Sequence, residues 1–143
     1  MSDDEKRETV VSSRAPEAVG AFPHAKRVGN LLFLSGMGPR KRGTKEIPGV
    51  TFGPDREVVA HDIEAQCRSV FDNVRTVLDD AGSSWDCIVD VTVFLTDMKQ
   101  DFSTFNRIYA EYFVDNQPSR TTVEVGALPT PIAVELKVVA TVD

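Results

Sequence analysis

The sequence predicts a mixed α/β domain in which two helices cover one face of a single sheet. Three observations carry that prediction. An apolar stripe at helical spacing runs through residues 60 to 81. A second runs from Asp101 to Phe113, and a stretch of strand-like alternation lies on either side of it. At 143 residues the chain is one domain, long enough to bury a sizeable core.

The elements follow in order. The first fourteen residues read as a flexible lead-in, and residues 15 to 143 as the single domain. Leu31-Leu32-Phe33-Leu34 sits between turn signals at Gly29-Asn30 and Gly36, as a buried strand does. Residues 37 to 58 are punctuated by glycine and proline and read as a long loop or loose hairpin. That loop holds the densest basic cluster, Arg40, Lys41, Arg42 and Lys45. Ala60, Ile63, Cys67, Val70, Phe71, Val74, Val77, Leu78 and Ala81 then recur every three or four positions, and Gly82 ends the helix. In Ile88 to Thr96, Val89, Val91, Val93 and Leu95 are expected on one face. Asp101 is expected to cap the second helix, whose stripe is Phe102, Phe105, Ile108, Tyr109, Tyr112 and Phe113. Thr121 to Val125 and Ala133 to Val142 complete the strands. The sheet face away from the helices is mixed, with Thr92, Phe94, Glu135 and Lys137, and suggests self-association.

Composition excludes several classes. Apolar residues make up 41% and charged residues 27%, which excludes a disordered chain. No apolar run approaches the roughly 18 residues of a membrane span. The acidic start, Met1-Ser2-Asp3-Asp4-Glu5, is unlike an export signal, so a cytoplasmic protein is expected, without a membrane partner. The net charge of -6 argues against nucleic acid as a partner. Cys67 and Cys87 form no CxxC, and Cys67 falls on the helical stripe as a small core residue. His24 and His61 lack neighbouring ligands, so no metal site is expected. No nucleophile elbow, dinucleotide fingerprint or Walker loop is present.

Two residues stand out. Arg120 follows Pro118-Ser119 at a strand start, where a guanidinium can grip a carboxylate through two parallel hydrogen bonds. Glu135 lies opposite the Val134/Leu136/Val138 stripe, where a carboxylate can orient water and move protons. The plain alternatives are a surface ion pair for Arg120 and a solvated strand residue for Glu135. On residue type and position alone, Glu124 is an equal candidate.

Whole segments taken together carry more. Val28-Gly29-Asn30-Leu31-Leu32-Phe33-Leu34-Ser35-Gly36, Ala81-Gly82-Ser83-Ser84, Val91 to Met98, Pro118 to Val125 and Val134-Glu135-Leu136 occur in order, with Gln66, Asn73 and Asn106 between them. From about Ala15 to Val142 the chain resembles the YjgF/RidA family of small trimeric imine deaminases. The resemblance implies a chorismate-mutase-like protomer and a homotrimer with a central barrel and clefts between subunits. It implies Arg120 as the grip on the substrate carboxylate and Glu135 as the residue that holds or activates water, which separates Glu135 from Glu124. Phe22, Gly36, Asn106 and Thr122 are implied at the substrate. No metal or organic cofactor is implied.

The chain departs from the family pattern in two places. Deaminases of small 2-imino acids carry a tyrosine in a Gly-Pro-Tyr-Ser segment, whereas this chain has Gly20-Ala21-Phe22-Pro23-His24. The loop after Ser35-Gly36 is longer and more basic. Both departures resemble the 2-aminomuconate deaminase branch, which shares Phe22-Pro23-His24 with Lys26-Arg27 and has an arginine pair matched here by Arg40 with Lys41. Thr130-Pro131-Ile132 stands where that branch tends to carry histidines. The branch implies a dicarboxylate substrate, with Arg40, Lys26 or Arg27 as the second cation and His24 as a proton shuttle. A general 2-iminobutanoate or 2-iminopropanoate deaminase and a non-catalytic carboxylate-binding trimer are the other readings.

Overall fold

The computed structural model describes residues 6–143. Its strands are β1 (Arg7–Val10), β2 (Ala25–Val28), β3 (Leu31–Leu34), β4 (Val50–Phe52), β5 (Val58–His61), β6 (Ile88–Leu95), β7 (Ser119–Glu124) and β8 (Val134–Thr141). Its helices are α1 (Ile63–Asp80) and α2 (Met98–Tyr112), with a 3-10 turn at Trp85–Cys87. Six strands form one sheet in the order β1-β2-β3-β8-β6-β7. All neighbours are antiparallel except β6 and β7, which α2 connects in parallel. β4 and β5 form a separate hairpin, the loose hairpin expected in the basic loop. The two helices lie on one face of the mixed sheet, as the sequence predicts.

Alternation builds the core. Leu32 and Leu34 of β3, Val91, Val93 and Leu95 of β6, and Val134, Leu136, Val138 and Ala140 of β8 are all buried on the helix side. The helices answer with Cys67, Val70, Phe71, Val74, Val77 and Leu78 from α1, and Phe105, Ile108 and Tyr109 from α2. Phe71 sits at the centre, 4.5 Å from Tyr112 and about 6 Å from the rings of Phe105, Tyr109 and Phe113. Truncating so buried a phenylalanine costs ~3–5 kcal/mol in typical cores.

Local chemistry sets the boundaries and corrects several expectations. α1 starts at Ile63 because Asp62 caps it, accepting from the Glu64 and Ala65 N–H groups, so Ala60 belongs to β5 instead. The helix ends at Gly82, whose φ of +81° suits glycine, with Ser83 N–H donating to Leu78 O and Gly82 N–H to Asp79 O. α2 is capped by Asp97, which accepts from Gln100 N–H, and not by Asp101. Asp101 is one turn further in and buried, and it meets His61 Nε2 at 2.8 Å, tying the hairpin to α2. On β6 a register irregularity between Ile88 and Asp90 puts Ile88 in the core and leaves Val89 exposed, which reverses the expected phase there.

The lead-in is also more structured than expected. Residues 1–5 of it lie outside the described residues, and Arg7–Val10 pair with β2 as an edge strand. Ser12 is buried, and Ser12 Oγ donates to Asp80 Oδ2 at 2.6 Å.

Among the described residues, no helix covers the other face of the sheet. Leu31, Phe33 and Val123 are exposed there, beside half-buried Thr92, Phe94, Glu135 and Lys137. Burial lowers the pKa of Lys137, whose Nζ donates to Leu34 O.

Gln66 links α1 to the strand that carries Glu135. Its Oε1 accepts from Ala133 N–H at 2.8 Å in the core, immediately before β8. Gln66→Leu orphans that buried amide and is expected to destabilise the fold by ~1–3 kcal/mol. A lowered urea midpoint with an unchanged slope will show it; an unchanged midpoint will mean that the Ala133 amide finds another acceptor.

Candidate active site

Glu135 stands at the back of a small cleft of about 300 Å³, lined also by Gly36, Gly38, Phe22, Arg40 and Ile132. The cleft exists because the chain after β3 is pinned to β8. Met37 N–H donates to Leu136 O and Leu136 N–H returns to Met37 O. That pairing brings Gly36 so close that a methyl group there would stand 2.7 Å from Glu135 Oε2. A side chain at this position would force the Glu135 carboxyl to move. Asn73 of α1 secures the next stretch, donating to both Gly38 O and Arg40 O at 2.9 Å.

The Glu135 carboxyl is pushed above its usual pKa range, chiefly by burial and against the pull of Arg40. A carboxyl so placed can exchange protons with a bound water or substrate. Arg40 itself is oriented by donating to Glu17 O at 2.8 Å.

Arg120 belongs to a different environment. β7 pairs in register with β6, so Arg120 lies beside Val91 and Thr122 beside Val93, both on the helix side of the sheet. There the Arg120 guanidinium lies 4.6 Å from the centre of Tyr109, 5.6 Å from Phe105 and 5.8 Å from Phe102. Tyr109 stacks on Phe113 at 4.3 Å, and Phe113 on Trp85 at 4.8 Å. Arg120 thus rests on an aromatic column rooted in the core. It donates through Nε to Thr122 Oγ1 at 2.9 Å and forms no ion pair among the described residues. Its other N–H groups are available to a carboxylate.

Within one chain Arg120 and Glu135 do not meet. Glu135 pairs with Phe94 on the uncovered face, opposite the face that carries Arg120. Phe22, Gly36 and Arg40 gather with Glu135, whereas Thr122 stays with Arg120. Asn106 lines a second recess with Tyr109, Phe113 and Pro118, on the Arg120 side.

Other candidates fall elsewhere. His24 is buried and both ring nitrogens are engaged by backbone: Ser12 N–H donates to Nδ1 at 3.0 Å, and Nε2 lies 2.7 Å from Pro16 O. That pattern puts the proton on Nε2 and leaves no nitrogen for a substrate, so His24 fastens the turn instead of shuttling protons. Lys26 donates to Thr9 Oγ1 and is registered through Phe33 with Val139, four residues along β8 from Glu135. That is about 13 Å at strand rise, outside the cleft. Arg27 donates to Gly29 O. Glu124, the rival carboxylate, accepts from Met98 N–H at the start of α2. Cys67 is buried and its thiol is pushed up to about 12, which leaves it inert. No group of three or more metal-ligating side chains gathers among the described residues.

The sequence did not mark the role of Tyr109 and Phe105. Both sit on the helical stripe, where rings normally mean core, and the four-residue interval that stacks them beneath Arg120 is also ordinary core spacing.

Residues 12–142 match the family model described as Endoribonuclease L-PSP. The chain belongs to the YjgF/RidA family. Within the family it is 40% identical over 132 residues to a RutC family protein of Sulfurisphaera tokodaii, covering 92% of this chain and 96% of that one. It is 34% identical to Reactive Intermediate Deaminase A, chloroplastic, of Arabidopsis thaliana, covering 95% of this chain and 66% of that protein. Among solved structures, E. coli TdcF with bound serine superposes with a TM-score of 0.80 at 30% identity, over 95% of this chain and 99% of that one. The YjgF gene product of E. coli gives 0.79 at 31%, over 94% and 98%.

The raised pKa of Glu135 leaves a signature in stability. The folded chain holds the Glu135 proton more tightly than the unfolded chain, so the linked stabilisation is full below the ordinary carboxyl range and is lost as pH rises through the raised value. Glu135→Gln is therefore expected to be more stable than the parent at neutral pH, with the difference shrinking in mild acid. Urea midpoints at the two pH values test this, and a difference independent of pH would contradict it.

Proposed function

We propose that the protein is a hydrolytic deaminase of an imine or enamine carboxylate, acting in a cleft completed by a second copy of the chain. The observation that carries this reading is the Glu135 cleft: a half-buried carboxyl with a raised pKa, beside Arg40 and against a glycine wall. Arg120 supplies the complement, a braced guanidinium with open donors on the opposite face. A second copy docked on the uncovered face and the β7 edge would bring its Arg120 to this Glu135. The exposed Leu31, Phe33 and Val123 support such docking, and three copies close the arrangement.

The reaction asks little of the protein. An imine carbon is electrophilic, more so once its nitrogen is protonated. Glu135 takes a proton from water as the oxygen attacks, giving a carbinolamine. Glu135 returns that proton to nitrogen, the C–N bond breaks, and Glu135 takes the hydroxyl proton as the 2-oxo acid forms; that proton leaves with ammonia as ammonium. Arg120 holds the carboxylate throughout, so that the gain comes from positioning and proton transfer.

The substrate we favour is 2-aminomuconate, whose enamine tautomerises to an imine and whose hydrolysis yields 4-oxalocrotonate and ammonia. Phe22 at the cleft supports it, since no phenolic hydroxyl stands there, as does Arg40, which adds positive charge to the cleft for a doubly charged substrate. The Arabidopsis relative's name, a reactive intermediate deaminase, supports the reaction class. The serine bound to TdcF supports a small amino or imino carboxylate as the kind of ligand.

Ammonia release from 2-aminomuconate and from 2-iminobutanoate, each generated in situ, is the direct test. Release from the first at the higher kcat/KM is expected. Preference for the second would make this a general imine deaminase, and release from neither would leave a carboxylate-binding protein. Arg120→Ala is expected to lower kcat/KM by about ten- to a hundredfold, the worth of a charge-assisted contact. Glu135→Gln should lower kcat by ~10²–10⁴. Light scattering should give a mass near three times 15.7 kDa; a monomer with full activity would overturn the shared cleft.

A further inference from the structure

The hairpin beside the cleft carries a cationic groove that the reaction does not use. Two adjoining recesses, of about 370 and 320 Å³, lie between the β4–β5 hairpin and the basic loop. The second shares Arg40 and Thr130 with the Glu135 cleft, so the groove opens from it. Four cations line the two recesses, Arg40, Lys41, Lys45 and Arg56, against one acid, Glu46. None of the four pairs with a carboxylate within 4.0 Å among the described residues. In a chain of net charge -6, the groove thus concentrates positive charge that would attract an anion.

Arg56 is the most telling member. Its backbone has φ +63°, a left-handed conformation that arginine seldom takes. Gly53 N–H donates to Glu57 O across the turn, and Arg56 N–H returns to Gly53 O. The turn so formed lays the guanidinium over Phe52 at 4.3 Å from the ring centre. The left-handed residue closes a three-residue hairpin loop, and that turn fixes where the guanidinium stands. The groove floor adds Phe52 and Ile47, a flat apolar surface between the cations.

We propose that this groove is the subsite for the far carboxylate of the substrate, with Arg56 and Lys45 as the residues that read it. The inference rests on the deaminase reading above and extends it: Arg40 stands at the passage between cleft and groove, the conjugated spacer lies along Phe52, and the distal carboxylate ends between Arg56 and Lys45. The groove thereby selects long dicarboxylates over short imino acids. Arg42, although in the same basic cluster, lines neither recess, and its Nη1 donates to Ala15 O at 2.8 Å.

Arg56→Asn removes the charge while suiting the left-handed backbone, since asparagine tolerates that region. The ratio of kcat/KM for 2-aminomuconate over 2-iminobutanoate is expected to fall by about tenfold or more, the worth of one charge-assisted contact. Lys45→Gln should lower the same ratio. An unchanged ratio in both variants would overturn the subsite while leaving the deaminase reading intact. Calorimetric titration with unreactive cis,cis-muconate keeps the two apart from the other side. Weaker muconate binding by Arg56→Asn than by the parent supports the subsite even if ammonia release fails. Equal affinity overturns it.

Discussion

The two-residue period of a β-strand governs what this molecule can do with its two most reactive side chains. β7 and β8 lie on either side of β6, and each must choose which alternate residues face the helices. β8 turns Val134, Leu136 and Val138 inward, which sends Glu135 and Lys137 out. β7 is locked to β6 in parallel register and turns Arg120, Thr122 and Glu124 toward α2. One sheet therefore shows its carboxyl on one face and its guanidinium on the other, and no side-chain rotation within a protomer can undo that. In the deaminase proposed above, the pair could therefore cooperate only between copies.

The choice made by β7 has its own cause. Its residues carry little apolar alternation, and Val123 is the one large apolar residue within it. A pattern argument alone would turn Val123 inward and Arg120 outward. The aromatic face of α2 reverses that preference. Tyr109, Phe105 and Phe102 offer a π surface to the guanidinium, and Glu124 on the same side completes the N-terminus of α2 through Met98 N–H. A cation over a partly desolvated ring gains ~1–2 kcal/mol, and a carboxylate at a helix start ~0.3–1 kcal/mol. Together these gains offset what Val123 forfeits by standing 37% exposed at the sheet edge.

Legibility followed the strength of periodicity. The stripe from Ile63 to Leu78 and the alternation of β8 are long enough to define faces, and the fold class came from them. Val89 departs from the phase of its strand because a bulge inserts a residue without any composition signal. Asp101 was misread as a cap because Asp97 stands one turn earlier and both are capping residues; only burial against His61 separates them. At the site, Gly36, Phe22 and Arg40 were named through the resemblance, and they do gather with Glu135. His24 was named by the same route but is spoken for by Ser12 and Pro16, contacts between distant turns that no spacing reveals. Arg56 escaped notice because its positive φ and its position over Phe52 exist only in three dimensions.

The acidity of Glu135 joins these threads. In the single chain, burial raises its pKa and Arg40 alone opposes the rise. Docking a second copy on the uncovered face would remove more water from the carboxyl, a further upward push, while delivering that copy's guanidinium, a downward pull. A substrate carboxylate seated on the arriving arginine would cancel much of that pull and leave desolvation dominant. The carboxyl would then hold its proton most tightly with the substrate in place, the state in which a proton must be handed to the departing nitrogen. The same occupied cleft also needs the carboxylate, as base toward the attacking water, and the arriving guanidinium would oppose desolvation enough to keep that form within reach. The opposite-face placement of Arg120 is what would set that balance between acid and base.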